Sequence, residues 1–340
     1  MTITSTTTLM RLCSLVLLAL FGGCASAPVD QLELRPTLDG GSPDVQGHRG
    51  FRGLYPENTM AAFRAAIELE VPTLELDVQI TRDGVLVVHH DPRLNRSLCV
   101  RDDGSPVENL YLSQIDFAAL ADIDCGSRSN RKFPDQRNVS GERIPRLDQV
   151  LELADQAEYP VRWSIEIKMK DTRSGRSAEE LATLAVETVR AAGLDDRTIF
   201  QSFEPQVLLA VAELAPDMGR AILVRSPGAY DRSVEGSRAT ILSPRYDRLR
   251  AATVERIHQR GIAVIPWTVN DPKTIRRMIS WGVDGIISDY PDRVLQVLDE
   301  LGPPALTSGI FVVLATSKRS STHTGPRSSE RSDPASLLCQ

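Results

Sequence analysis

Aromatic residues are scarce: Phe, Trp and Tyr together make up 5% of the 340-residue chain. A surface that stacks bases needs more of them. Positive charge is short as well. There are 39 Lys and Arg against 45 Asp and Glu, a formal net charge of -6. Duplex binding is driven by phosphate neutralisation, so both shortages argue against a nucleic-acid partner. No apolar run reaches the roughly 18 residues that span a bilayer. Five cysteines are too few to build a scaffold of this size from disulfides. No Gly-x-Gly-x-x-Gly follows a β-rich run, which weakens a dinucleotide-binding fold. What is present is an ordinary globular mixture, 41% hydrophobic and 25% charged, and that excludes disorder throughout.

The two ends read differently from the middle. Arg11 precedes an apolar run from Leu12 to Gly23, the length of a signal-peptide core. Ala25-Ser26-Ala27 has the small-x-small form of an ordinary cleavage site. Phe21-Gly22-Gly23-Cys24 resembles a bacterial lipobox, in which Cys24 is lipidated and becomes the N-terminus. The lipoprotein reading is preferred: residues 1–23 a signal peptide, 24–43 a linker, and the protein exported to a bacterial periplasm, free or tethered to a membrane through Cys24. Pro303 to Gln340 is rich in Ser, Thr and Arg without periodicity and is expected to be a disordered tail. Cys99 and Cys125 remain for the folded region, and outside the cytoplasm they are expected to pair.

Between Asp44 and Gly302 the pattern alternates. β-rich runs occur at 44–47, 73–80, 85–90, 161–167, 198–203, 219–224, 239–242, 262–268 and 285–288. Helical patterns lie at 56–70, 147–158, 177–192, 205–214, 249–260, 272–281 and 291–301, the first capped by Asn58 or Thr59. Strand–helix alternation means a parallel sheet. About eight units over some 260 residues predict an α/β (β/α)8 TIM barrel. It is irregular between its second and third strands. Only Arg82-Asp83-Gly84 joins 73–80 to 85–90, so those runs are expected to form a hairpin. Residues 95–146 then form a polar insertion, expected over the active-site mouth.

Barrels carry their chemistry at strand C-terminal ends. Gly47-His48-Arg49-Gly50 stands at the first such end. Arg49 suits phosphate oxygens and His48 suits proton transfer near neutral pH. In Glu75-Leu76-Asp77 alternation puts both carboxylates on one strand face. Two like charges so placed call for a hard divalent cation, Ca²⁺ or Mg²⁺. If the hairpin closes with Thr81 opposite Gly84, Glu75 faces His90, and His89 points away. Glu166 and Lys168 share another strand face. They fit a third metal carboxylate with a phosphate-contacting Lys, or a structural salt bridge. Metal, imidazoles and cations together describe phosphodiester cleavage.

The same stretches resemble the glycerophosphodiester phosphodiesterase family. The resemblance rests on His48-Arg49-Gly50, Pro56-Glu57-Asn58-Thr59, Glu75-Leu76-Asp77-Val78, Val87-Val88-His89-His90-Asp91, Ile165-Glu166-Ile167-Lys168, Gln201-Ser202-Phe203, Trp267-Thr268-Val269-Asn270 and Gly285-Ile286-Ile287-Ser288-Asp289, in order. It implies a TIM barrel that cleaves glycerophosphodiesters to sn-glycerol 3-phosphate and an alcohol. It implies His48 and His90 as acid–base pair, Glu75, Asp77 and Glu166 as ligands of a divalent cation, and Arg49 and Lys168 on the phosphate. Trp267 would line the glycerol pocket, which the insertion shapes. Gly47 departs from the family's commoner Ala. The alternative is a lysophospholipase D-type enzyme acting on lysophospholipids. It needs an apolar groove in the insertion, where Leu110, Tyr111, Leu112 and Phe117 are the apolar exceptions.

Overall fold

A computed structural model describes residues 41–302 apart from Lys170. The expected signal peptide, Cys24 and C-terminal tail lie outside the described residues. The strands are β1 Asp44–Gly47, β2 Thr73–Ile80, β3 Leu86–Val88, β4 Val100–Arg101, β5 Ile123–Asp124, β6 Arg162–Ile167, β7 Thr198–Ser202, β8 Gly219–Val224, β9 Ile241–Pro244, β10 Ala263–Val264 and β11 Gly285–Ser288. The helices are α1 Met60–Glu68, α2 Leu147–Leu151, α3 Ala178–Ala191, α4 Pro205–Leu214, α5 Tyr230–Ser237, α6 Ala251–His258, α7 Pro272–Ser280 and α8 Pro291–Leu301.

Eight strands run parallel in the order β10-β9-β8-β7-β6-β2-β1-β11. The ring closes through backbone bonds from Asp284 N to the Val264 carbonyl (2.9 Å) and from Ile287 N to the Pro266 carbonyl (3.1 Å). This is the expected (β/α)8 barrel. Each strand feeds a helix whose apolar stripe packs outward-facing strand residues such as Leu74, Leu76, Trp163 and Ile165 into one core. Inside the barrel Ala221, Ile241, Ile265 and Ile287 form a separate plug. One helix escaped the sequence reading. α5 buries only Tyr230, Val234 and Ser237, so its apolar stripe is too thin to announce a period of 3.6.

β3 pairs antiparallel with β2 outside the ring, as the hairpin reading required. Its register is one residue off the expectation. Val78 faces Val88, and the Thr81 N–H donates to the Val85 carbonyl (3.0 Å), not across to Gly84. Gly84 has φ +83° and is the extra loop residue. In the observed register His89, not His90, stands opposite Asp77: the His89 N–H donates to the Asp77 carbonyl (2.9 Å). The parity argument for His90 therefore fails. His90 reaches the mouth for another reason: β3 ends at Val88, and the chain bends before alternation can act.

The insertion is less of a loop than its polarity suggested. Residues 95–146 contain β4 paired with β5, and their apolar side chains gather into a small core around Leu112, Leu120 and Ile123. The expected Cys99–Cys125 disulfide is present, with the two Cα atoms 4.0 Å apart.

Candidate active site

The C-terminal strand ends surround a cavity of about 510 Å³. Its floor is built from β2 and β6, whose side chains alternate between the outer core and the barrel interior. Alternation sends Glu75, Asp77 and Glu166 inward, all buried, with ligand oxygens within 4.8 Å of one another. Asp77 and Glu166 face each other across the β2–β6 register. Three buried carboxylates repel unless neutralised. Two cations from the chain do this. Lys168 Nζ lies 2.9 Å from Asp77 Oδ1 and 2.7 Å from Glu166 Oε1. Arg49 Nε lies 3.1 Å from Asp77 Oδ2, and its Nη1 lies 2.6 Å from Glu57 Oε1.

The titration behaviour follows from this arrangement. Burial raises every carboxyl here, but at Asp77 the charges of Lys168 and Arg49 prevail and hold it well below the carboxylate range. Glu75 goes the other way, pushed well up by burial and by repulsion from Asp77 and Glu166. Burial lifts Glu166 to about 7, against the pull of Lys168. Two neutral amides fix the carboxylates in place. Gln201 Nε2 donates to Glu75 Oε1 (2.7 Å), and Asn58 Nδ2 donates to Asp77 Oδ2 (2.9 Å).

The turn after β1 delivers His48 and Arg49. Arg49 takes φ +52°, which aims its backbone N–H at Glu75 Oε2 (2.9 Å). His48 is 13% exposed, with Nδ1 2.6 Å from Asp289 Oδ1 and Nε2 3.9 Å from Glu75 Oε2. Burial lowers the His48 imidazole despite Asp289. Asp289 is itself held below the carboxylate range: burial opposes this, but His48 and Arg52 outweigh it, and Asn270 Nδ2 donates to its other oxygen (2.7 Å). A carboxylate on Nδ1 orients the ring and leaves Nε2 for proton transfer. His90 is built alike, its Nδ1 2.8 Å from Asp91 Oδ1. That bond, set against partial burial, brings the Asp91 carboxyl down to about 2.

Trp267 forms one wall, anchored by Nε1 donation to the Ser243 carbonyl (2.8 Å). Phe203 meets it edge-on at 5.6 Å. Arg225 lies over Phe203, 3.8 Å from the ring centre.

The family model described as the glycerophosphoryl diester phosphodiesterase family matches residues 48–293, from the first histidine to α8. The chain belongs to that family. A glycerophosphodiester phosphodiesterase of Caldanaerobacter subterraneus is 32% identical over 262 residues, 76% of this chain and 98% of the relative. The structure of a Silicibacter pomeroyi protein superposes with a TM-score of 0.73 at 29% identity, covering 80% of this chain and 97% of the other. That of an Oleispira antarctica phosphodiesterase holds the product sn-glycerol 3-phosphate. It has a TM-score of 0.64 at 26% identity and covers 76% of this chain and 97% of the other.

In this family member His48, Arg49, Glu75, His90, Glu166 and Trp267 all line the cavity. Asp77 and Lys168 lie directly beneath, joined to it through Glu166 and Arg49. His89 is buried, with Nδ1 on the Asp91 carbonyl (2.8 Å). Sequence reasoning gave no site role to Asp289, Asn270, Gln201, Glu57 or Arg52, and offered Asn58 only as a helix cap. Asp289 follows the end of β11 and Gln201 sits in β7, so the strand-end rule could have found both. Asn58 gave no such signal. It reaches Asp77 from a left-handed loop position at φ +56°.

Proposed function

We propose that this enzyme hydrolyses glycerophosphodiesters to sn-glycerol 3-phosphate and an alcohol in the barrel-mouth cavity. The observation that carries the reading is the convergence there of three buried carboxylates and two carboxylate-oriented imidazoles, within a chain of this family.

Glu75, Asp77 and Glu166 fit a divalent cation, Ca²⁺ or Mg²⁺: all donors are hard carboxylate oxygens, buried and within 4.8 Å of one another. Such an ion supplies Lewis-acid polarisation of a phosphate oxygen. Arg49 and Lys168 add positive charge for the phosphate. In the structure both cations serve the carboxylates, so the phosphate role depends on those carboxylates sharing their charge. One imidazole of His48 and His90 takes the proton from the attacking oxygen through Nε2. The other gives a proton to the leaving alcohol. Asp289 and Asp91 hold the rings in position for this.

The test is release of sn-glycerol 3-phosphate from glycerophosphoglycerol, with chelator and with each ion restored. Release that stops with chelator and returns with Ca²⁺ or Mg²⁺ supports the reading. Failure of a folded sample with every divalent ion sinks it. The lysophospholipid alternative loses its footing, because Leu110, Leu112 and Phe117 pack onto the insertion's own core and Tyr111 is sandwiched by Arg93 and Arg173.

We also propose export with lipidation at Cys24. The disulfide supports an oxidising compartment. Metabolic labelling with palmitate should mark the full chain and be lost in Cys24→Ala; equal labelling of both would remove the tether.

A further inference from the structure

Arg52 stands between two carboxylates that serve different parts of the site. Its Nε lies 2.7 Å from Glu57 Oε2, and its Nη1 lies 3.6 Å from Asp289 Oδ1. Glu57 in turn holds Arg49, and Asp289 holds His48 through the same Oδ1. The guanidinium thus sits between two largely buried like charges and ties the carboxylate that orients His48 to the Arg49–Asp77 pair. Without it Glu57 and Asp289 repel, and any shift of Asp289 carries the His48 ring with it.

The insertion grips this arginine. The guanidinium lies over the Phe133 ring, 4.8 Å from its centre, and the same ring meets Tyr290, the residue after Asp289, edge-on at 6.2 Å. Gln136 Nε2 donates to the carbonyls of Arg52 (2.6 Å) and Tyr55 (2.7 Å), and the Arg137 N–H donates to that of Leu54 (2.8 Å). The Gly53 N–H closes the contact by donating to the Asp289 carbonyl (2.7 Å). Arg52 lines the cavity, whereas Phe133 and Gln136 do not. Residues 133–137 therefore hold both Arg52 and the stretch that carries Asp289 without themselves forming the cavity wall.

We propose that Arg52 is a positioning residue for His48, acting through Asp289, and that Phe133 and Gln136 clamp it from the insertion. The inference rests on the proposed diesterase activity and adds the residues that fix one of its acid–base groups in place.

The test measures kcat and KM of the full chain for glycerophosphoglycerol with the divalent ion present. Arg52→Gln should lower kcat about 10–100-fold and change KM less than about threefold, since a misplacement of about 1 Å costs about 10²-fold. Arg52→Lys returns the charge without the planar fork and should recover about three- to tenfold of that loss. A cycle with Asp289→Asn separates positioning from structure. A residue that acts through Asp289 costs little once that charge is gone, so Arg52→Gln should lower kcat less than about threefold in the Asp289→Asn background. A merely structural role would cost the same in both. Should Arg52→Gln not fold, Arg52→Lys carries the same cycle. Phe133→Leu should lower kcat about three- to tenfold alone and less than about twofold in a chain already carrying the Arg52 substitution. Losses that multiply across Arg52 and Asp289, a loss confined to KM, or an unchanged kcat in the Arg52 variants overturn this inference and leave the activity standing. Hydrolysis by no form of the chain, the unsubstituted one included, overturns both.

Discussion

Lys168 sits between two carboxylates in a place water barely reaches, and its removal should cost far more than loss of any surface pair. Arg82–Asp116, for instance, is exposed on both sides, where solvent and salt screen the pair. Lys168→Met leaves Asp77 and Glu166 buried without their cation, and about 3–5 kcal/mol of stability should be lost. Denaturant unfolding in chelator measures this, and added Ca²⁺ or Mg²⁺ should recover part of it. The pH dependence has a definite sign. Glu166 is raised to about 7 and Glu75 is raised as well, so the folded state binds their protons more tightly than the unfolded chain does. Their contribution is complete below the ordinary Glu range and is lost as pH rises toward and through about 7. A divalent ion competes with those protons, so its stabilising effect should be larger at about pH 8 than at about pH 5.5. A thermal shift that is equal at both would remove the ion from these carboxylates. At His48, Asp289→Asn keeps the shape and removes the negative charge on Nδ1. kcat should fall about 10²–10⁴-fold with KM little changed, and an unchanged kcat would leave Asp289 a structural role only. The carboxylate pair on β2 was legible because strand alternation is strict. The charge network around it was not, because Arg49, Asn58 and Asp289 arrive from loops whose backbone turns no periodicity encodes.

Among the elements, the regular ones were the readable ones. β2, β8, β11, α4 and α8 have the expected bounds, since each combines a clean apolar pattern with a Pro, Gly or charged boundary. The β2–β3 hairpin was legible as a hairpin but not in register. Asp83-Gly84 signals a turn without fixing whether two or three residues form it, and a one-residue slip reverses every face. Gly84→Ala should cost about 1–2 kcal/mol from the left-handed backbone alone, because an added Cβ meets only Arg176, at an ordinary 3.5 Å. Gly47 is the harsher case. A Cβ there would stand 2.3 Å from the Gly50 carbonyl oxygen. The turn that delivers His48 is therefore closed more tightly than alanine allows. Gly47→Ala should displace that turn, cost roughly 1–3 kcal/mol, and lower kcat together with stability. A crystal structure of the variant with His48 unmoved would contradict this.

For the molecule as a whole, the barrel and the insertion answer to different forces. The barrel is held by its layered core; the insertion has a small core and one covalent tie. Closing a loop of 26 residues stabilises by about 3–4 kcal/mol in the chain-entropy account. Replacing Cys99 and Cys125 by Ser should thus loosen the insertion first. Hydrogen exchange should rise in residues 95–146 while the barrel strands stay protected, and KM should rise more than kcat falls, because Asn95, Ser97 and Asn130 of the cavity wall belong to that segment.

The wall formed by Trp267 has an optical consequence. The chain has three tryptophans. Trp163 is fully buried among core side chains, Trp281 packs partly buried at the end of α7, and Trp267 alone among them lines the cavity. With Trp163 and Trp281 replaced by Phe, the remaining indole becomes an intrinsic fluorophore whose emission follows occupancy of the site. Binding could then be titrated on unlabelled protein, without a coupled assay and before any turnover is detected.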